Sequence, residues 1–258
     1  MDSTFFNERT RQALEGWAAE KGVALAELER IFDGIRPEPS RYGSPAPGQA
    51  PTIFFAGLRA VPFWERAEFA WASKVEAAAD RIRADYEISR ALREGTRQYE
   101  SFRTDGGTWL VKYITCVGRY DPRAEQHFPI TVEVLRSAPG ALSCGMTYFS
   151  TITPQTHILP HSGFTNAHLR CHLTLSTSDG CRIRVGEETR SWVNGELLIF
   201  DDTYEHEVWN DSPNERVVLL FDVFHPDLSV AECDALDFLA GAWRRSVMTR
   251  GLTREMAA

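Results

Sequence analysis

The spacing of apolar side chains changes period twice along the chain. Between residues 8 and 35, Leu14, Trp17, Ala18, Leu25, Leu28 and Ile31 recur at three- and four-residue intervals, which predicts two short helices broken at Gly22. Residues 37–51, PEPSRYGSPAPGQAP, are dense in proline, glycine and serine and predict an extended connector, with a boundary near residue 50. Over 65–94, Phe69, Val75, Ala79, Ile82 and Tyr86 describe an apolar stripe in an alanine-rich, charge-paired stretch, so one long helix is expected there. From about residue 107 the period becomes two. TWLVKYITCVG, GMTYFSTI, HLRCHLTLS, CRIRVG, ELLIFD, HEVWN and ERVVLLFDVF are short alternating or wholly apolar segments separated by Gly, Asp, Asn and Pro. With no helical stretch expected among them, they argue for an antiparallel jelly-roll barrel or sandwich. Helical spacing returns over 229–247. The chain therefore divides into a helical cap and connector (1–50), a central domain (51–228) with its β core at 107–225, and a C-terminal helix and tail (229–258).

Composition narrows the possible classes of function. A chain of 258 residues can bury a sizeable core, and 43% hydrophobic with 25% charged residues sets it apart from disordered and fibrous sequences. Its 28 basic against 36 acidic residues give a net charge of -8, which offers no long-range attraction to nucleic acid or to an anionic membrane. The five cysteines, Cys116, Cys144, Cys171, Cys181 and Cys233, contain no CxxC pair and read as reduced thiols. The N-terminus is charged from its second residue, and no apolar run approaches the roughly 20 residues a membrane helix needs. A cytoplasmic protein with no membrane span is expected.

Six of the seven histidines, His157, His161, His168, His172, His206 and His225, fall between residues 157 and 225. His161 in PHSGFTN and His206 in DDTYEHEVW both sit at the ends of predicted strands, where a jelly roll can bring them together at the barrel mouth. Two imidazoles suit divalent iron, and the usual oxygenase arrangement adds a carboxylate two residues after the first histidine. Here that position is Gly163. On the residues alone, a pair of ordinary core or surface imidazoles explains the same positions. Arg216 opens the apolar strand VVLLFDVF, where a charge needs an anionic partner. A ligand carboxylate would serve, as would Glu215, Asp222 or another acid, or exposure to water. Arg170 and His172 alternate with Leu169, Cys171 and Leu173 and so share the opposite face. If that face lines the barrel lumen, it is cationic where a core should be apolar, which marks a site. Trp192 and Trp209 read as packing, His157 and His225 as holding turns or strand ends, and Cys171 and Cys181 as buried thiols. Asp201 or Asp202 is a candidate hydrogen-bond partner for His206.

The motifs PHSGFTN, GCRIRVG, VNGELLIFDDTYEHEVWN and DVFHPDL, in that order and spacing, resemble the aspartyl/asparaginyl β-hydroxylase family of iron(II)- and 2-oxoglutarate-dependent oxygenases. Upstream, PTIFFAGLRAVPFWERAEFAWASKVE resembles the segment preceding the core in bacterial members, so the resemblance covers about residues 50 to 230. It implies a double-stranded β-helix, the jelly-roll, cupin-like core, with flanking helices. His161 and His206 would bind Fe(II), and Gly163 matches the family's departure from the usual triad. Arg216 and Ser150 would grip the distal carboxylate of 2-oxoglutarate, with Arg170 and His172 near its chelating end or the substrate. The implied reaction consumes O2 and couples oxidative decarboxylation of 2-oxoglutarate to succinate with hydroxylation of a β-carbon. The substrate would be an amino acid or aminoacyl group, free, peptidyl or tethered to a carrier protein.

One position departs from the pattern. Family members acting on aspartyl groups often carry an arginine where this chain has His168, which puts His168 with Arg170 and His172 among the expected substrate-binding residues and weakens the aspartyl assignment. The competing readings are an acyl-chain hydroxylase of the lipid A type and a non-catalytic cupin-like sensor. An apolar tunnel beside the metal would favour acyl chains; a short polar pocket lined by Arg170 and His168 would favour amino acids.

Overall fold

The computed structural model of the chain describes residues 8–36, 38–91, 95–99, 103–117, 119–120, 123–143 and 145–249. The expected tail after residue 249, the last three positions of the expected helix 65–94, and Cys144 lie outside the described residues. Helices α1 (Glu8–Lys21) and α2 (Glu29–Gly34) form where the apolar spacing predicts them. Gly22, at φ +70°, ends α1, and the Val23 amide donates back to the Ala18 carbonyl at 2.9 Å, closing the helix in the left-handed geometry that glycine adopts without strain. Leu14, Ala18, Leu28 and Ile31 pack against Ala235, Leu239 and Ala240 of the C-terminal helix α7 (Val230–Thr249), and Ile53, Phe55, Ala167 and Phe224 complete the cluster. Packing is therefore continuous across residue 50.

In place of one helix over 65–94, the chain makes β1 (Phe63–Trp64), a 3-10 turn (Arg66–Glu68), α3 (Ala72–Ala77) and α4 (Ala79–Ala91). The stripe of Val75, Ile82 and Tyr86 is buried as expected. The helix does not extend through it, because Phe69 is extended at φ −116°, ψ 105° and Ala78 leaves helical geometry at ψ 0°. Those departures let Phe69 reach Trp64 at 6.0 Å and Trp71 reach Phe221 at 5.8 Å between ring centroids.

The remaining strands are β2 (Thr96–Gln98), β3 (Thr104–Asp105), β4 (Trp109–Cys116), β5 (Arg119–Tyr120), β6 (Thr147–Ile152), β7 (Thr156–His161) and β8 (His168–Ser176). They continue as β9 (Cys181–Val185), β10 (Glu188–Arg190), β11 (Leu197–Phe200), β12 (His206–Asn210) and β13 (Arg216–Phe224). Two antiparallel sheets result: an eight-stranded one in the order β1-β11-β8-β13-β6-β4-β2 with β5 on β4, and a five-stranded one in the order β10-β9-β12-β7-β3. This is the jelly-roll core with flanking helices. The expected absence of helix within it is corrected by α5 (Ala124–His127) and α6 (Pro129–Leu135). Pro129 starts α6 at its first turn, and buried Asp85 of α4 accepts from the Thr131 amide and hydroxyl at 2.8 and 2.9 Å, overriding the β-branched composition of PITVEVL.

Strand parity sorts the side chains of the larger sheet. Leu169, Cys171, Leu173, Leu219, Phe221 and Phe149 face the helical layer of α3, α4 and α6. Tyr148, Ile152, Val218 and Leu220 face the smaller sheet, meeting Ile158, Ile183, Val185 and Val208. Since both faces are covered, β13 is buried at all nine positions and is apolar at every one but Arg216 and Asp222. Its even-numbered residues face the lumen, which puts Arg216 and Asp222 there together with Arg170 and His172 of β8. No described helix is long and apolar enough to cross a membrane.

Candidate metal and anion site

The two histidines of the sequence motif meet. His161 ends β7, His206 begins β12, and the strands pair in register at these two residues, with ring centroids 4.2 Å apart. Each imidazole donates its Nδ1 proton to the carbonyl two residues earlier, His161 to Leu159 at 2.8 Å and His206 to Tyr204 at 3.0 Å. A carbonyl only accepts, so both neutral rings carry the proton on Nδ1 and leave the Nε2 lone pair for a metal. Burial lowers both pKa values, His206's further, and keeps the rings neutral. This donor set fits a divalent transition ion. Among the described residues no third His, Cys, Asp or Glu groups with the pair.

Gly163, two residues after His161, is where a third ligand would stand. A Cβ there would collide with the Asp202 carboxylate. Asp202 fills that space, and it is held by Arg170 at 2.8 Å while Arg170 also grips Asp222 at 3.0 and 3.3 Å. Burial pushes Asp202 up to about 7 despite Arg170, with Asp222 adding to the rise. The side chains of Asp201 and Asp202 thus do not orient His206, as expected of one of them. Asp201 accepts from Thr203 and Gln49 instead, and the Tyr204 carbonyl does the orienting.

Arg216 is 1% exposed, and its Nε and Nη1 have no hydrogen-bond partner among the described residues. The two acids named from the sequence are engaged elsewhere, Glu215 with Arg90 at 2.7 Å and Asp222 with Arg170. Burial pulls its pKa down to about 10, which still leaves it charged at neutral pH. Behind it, the Trp192 ring centroid lies 4.6 Å from the guanidinium carbon. Ser150 of β6 accepts from Trp109 Nε1 at 3.0 Å, leaving its own proton to donate. His172 Nδ1 accepts from Trp192 Nε1 at 3.3 Å, and its Nε2 has no partner among the described residues. Phe200 sets its ring against both His172 and His206, at 5.1 and 5.6 Å.

Ser150, His161, Arg170, His172, His206 and Arg216 line one small pocket. His168 does not join them. It packs beside Phe224 at 5.6 Å and lines a separate apolar crevice with Ile53, Phe55, Phe164 and Leu239. Arg170 and His168, expected to share a short polar pocket, line two different ones. Sequence reasoning offered Asp222 only as a partner for Arg216, read Trp192 as packing, and did not name Trp109. Strand parity could have found Asp222 and Trp109, since Asp222 shares a face with Arg216 and Trp109 with Val111. Trp192 lies in a loop, where no periodicity marks it. His157 bonds Glu207 at 2.8 Å and stacks on Trp209, while His225 holds a turn through Arg59 and Asp227.

A sequence profile described as Aspartyl/Asparaginyl beta-hydroxylase matches residues 76–226. The human protein named Aspartyl/asparaginyl beta-hydroxylase is 33% identical over 181 residues, covering 67% of this chain and 24% of that protein. Human Aspartate beta-hydroxylase domain-containing protein 2 is 32% identical over 248 residues, covering 90% of this chain and 66% of that protein. The Ornithine lipid ester-linked acyl 2-hydroxylase of Rhizobium tropici is 32% identical over 181 residues, covering 67% of this chain and 63% of that protein. The chain spans about a quarter of the length of the first of these relatives.

Proposed function

The chain belongs to the aspartyl/asparaginyl β-hydroxylase family, and from that membership we propose that it is an iron(II)- and 2-oxoglutarate-dependent hydroxylase acting on the β-carbon of an amino acid or aminoacyl group. The observation that carries this reading is a buried guanidinium without a counter-ion in the same pocket as two imidazoles whose lone pairs are free. A lone buried charge is costly and calls for an anion that arrives with the ligand. A dicarboxylate that also chelates a metal meets both needs. His161 and His206 would hold iron through Nε2. Arg216, helped by the Ser150 hydroxyl, would take the far carboxylate, and the His172 Nε2 proton gives a further donor on the same lumenal face. Iron, when bound, supplies the oxidising chemistry that joins loss of carbon dioxide from 2-oxoglutarate to hydroxylation of a C–H bond. The chain's own part is to orient cosubstrate and substrate and, through Phe200, Val208 and Leu220, to keep water from the pocket.

The test is turnover with iron(II), 2-oxoglutarate and oxygen, reading succinate release and the gain of one oxygen by mass spectrometry across free, peptidyl and carrier-bound amino acids. His206→Ala should abolish the oxygen gain and metal binding, whereas Arg216→Ala should chiefly raise the 2-oxoglutarate KM. Iron-loaded protein that neither binds 2-oxoglutarate nor yields succinate would end the proposal, and a ligand bound without succinate would make the chain a sensor. A second reading, hydroxylation of an acyl chain, is supported by the likeness to the Rhizobium tropici hydroxylase, although the apolar crevice beside His168 is separate from the pocket of His161 and His206. Acyl substrates therefore belong in the same panel.

A further inference from the structure

Trp192 does not line the pocket that holds Arg216 and His172 but stands behind both. It lies in the loop between β10 and β11, which is pinned to β8 by backbone bonds from Gly195 to Thr174 at 2.9 Å and from Thr174 to Glu196 at 3.1 Å. Its far side lines a separate pocket of about 170 Å³ edged by Arg66, Arg190 and Glu196. The indole makes two different contacts toward the site. Its ring covers the Arg216 guanidinium at 4.6 Å, in the place where a buried arginine would ordinarily meet an acid. Its N–H, which can only donate, bonds His172 Nδ1 at 3.3 Å, and the two rings stack with an interplanar angle of 21°. A neutral imidazole that accepts at Nδ1 carries its proton on Nε2, the atom left without a partner.

We propose that Trp192 is the positioning residue of this anion site: its indole N–H fixes His172 as the Nε2–H tautomer while its ring stands in for a counter-ion behind Arg216, so that both side chains present donors to one dicarboxylate ligand. The proposal rests on the reading of Arg216 and His172 as cosubstrate-binding groups. Trp192 touches the ligand at no point and acts only through these two side chains. An acid in its place would neutralise Arg216 and compete with the ligand; an aliphatic residue would leave the guanidinium bare and the imidazole free to move its proton to Nδ1.

Long-range 1H–15N correlation spectra of the ligand-free protein should show His172 with a protonated Nε2 and an unprotonated Nδ1. Trp192→Phe, which keeps a ring and loses the N–H, should mix or invert that pattern and weaken 2-oxoglutarate binding about tenfold, the effect of one lost hydrogen bond to a charged ligand. Trp192→Leu, which also removes the ring, should weaken it further. Binding is read by calorimetry with manganese(II) in place of iron. In a His172→Phe background, Trp192→Phe should add little, because its route to the ligand through the imidazole is gone. Wild-type His172 protonated on Nδ1, or the same loss from Trp192→Phe in both backgrounds, would overturn the proposal. A wild-type protein that binds no 2-oxoglutarate defeats the cosubstrate reading, while the spectrum, which needs no ligand, still decides the tautomer.

Discussion

Arg216 is buried with two nitrogens unpaired among the described residues, and Glu215 and Asp222 are each committed to another arginine. Such a side chain lowers stability in exchange for binding. Arg216→Met should therefore leave the ligand-free protein as stable as wild type or more so, by about 1 kcal/mol or more in urea unfolding, while removing its response to 2-oxoglutarate. Gly163 carries the opposite kind of constraint. Any side chain there meets the Asp202 carboxylate, so Gly163→Ala should cost about 1–3 kcal/mol and loosen the Arg170–Asp202 pair, with falling iron content as the companion readout. Adding a carboxylate by Gly163→Asp would fail for the same reason, because the space is already filled.

The elements hold the site through a few long-range polar contacts. The Asn166 side chain bonds the Phe55 amide and carbonyl at 2.8 and 2.9 Å, tying the loop after His161 to the chain leading out of the connector. Asn166→Ala would strand two buried backbone groups and should cost about 2–4 kcal/mol, measured by denaturant unfolding. Asp33 of α2 anchors the other end of the connector. Burial works to raise its pKa, but hydrogen bonds from Ser40, the Arg41 amide and Arg36 outweigh it and the net shift is downward. A carboxylate with a depressed folded pKa contributes stability above its unfolded value of 3.8 and loses it as pH falls through the folded one. Wild type should therefore melt above Asp33→Asn near neutral pH, and the difference should shrink as the pH is taken below 3.8.

At the scale of the whole molecule, a net charge of -8 surrounds a pocket whose unpaired hydrogen-bonding groups are chiefly donors: two from Arg216, one from His172 and the Ser150 hydroxyl. The acidic shell disfavours nucleic acid, while the lumen suits a small dicarboxylate. Metal and 2-oxoglutarate bind only the folded chain in this reading. At a hundredfold excess over Kd, the cosubstrate should stabilise the protein by about 2.7 kcal/mol. For a chain of this size that is a rise of roughly 5–10 °C in Tm by differential scanning fluorimetry, absent in Arg216→Met.

Period-two patterning in β8 was enough to place Arg170 and His172 on one face, because parity is a local property of an extended chain; that Arg216 and Asp222 share that face depends on how β13 pairs with β8. The motif around His161 and His206 marked both strand ends, and the helical stripe of Val75, Ile82 and Tyr86 was legible in the same way. The breaks in that helix, the helices at 124–135 and the placement of Trp192 were not, since packing against distant strands overrides local preference. Nor could sequence say which arginine would lack an acid. That depended on partners far apart in the chain, Arg170 with Asp222 across 52 residues and Glu215 turned to Arg90. The sequence by itself determined which side chains share a face of each strand; only the tertiary structure decided which of those faces meet in the lumen and which charge was left unpaired there, because a counter-ion is assigned by proximity in space and its competition is settled only when every strand is in register.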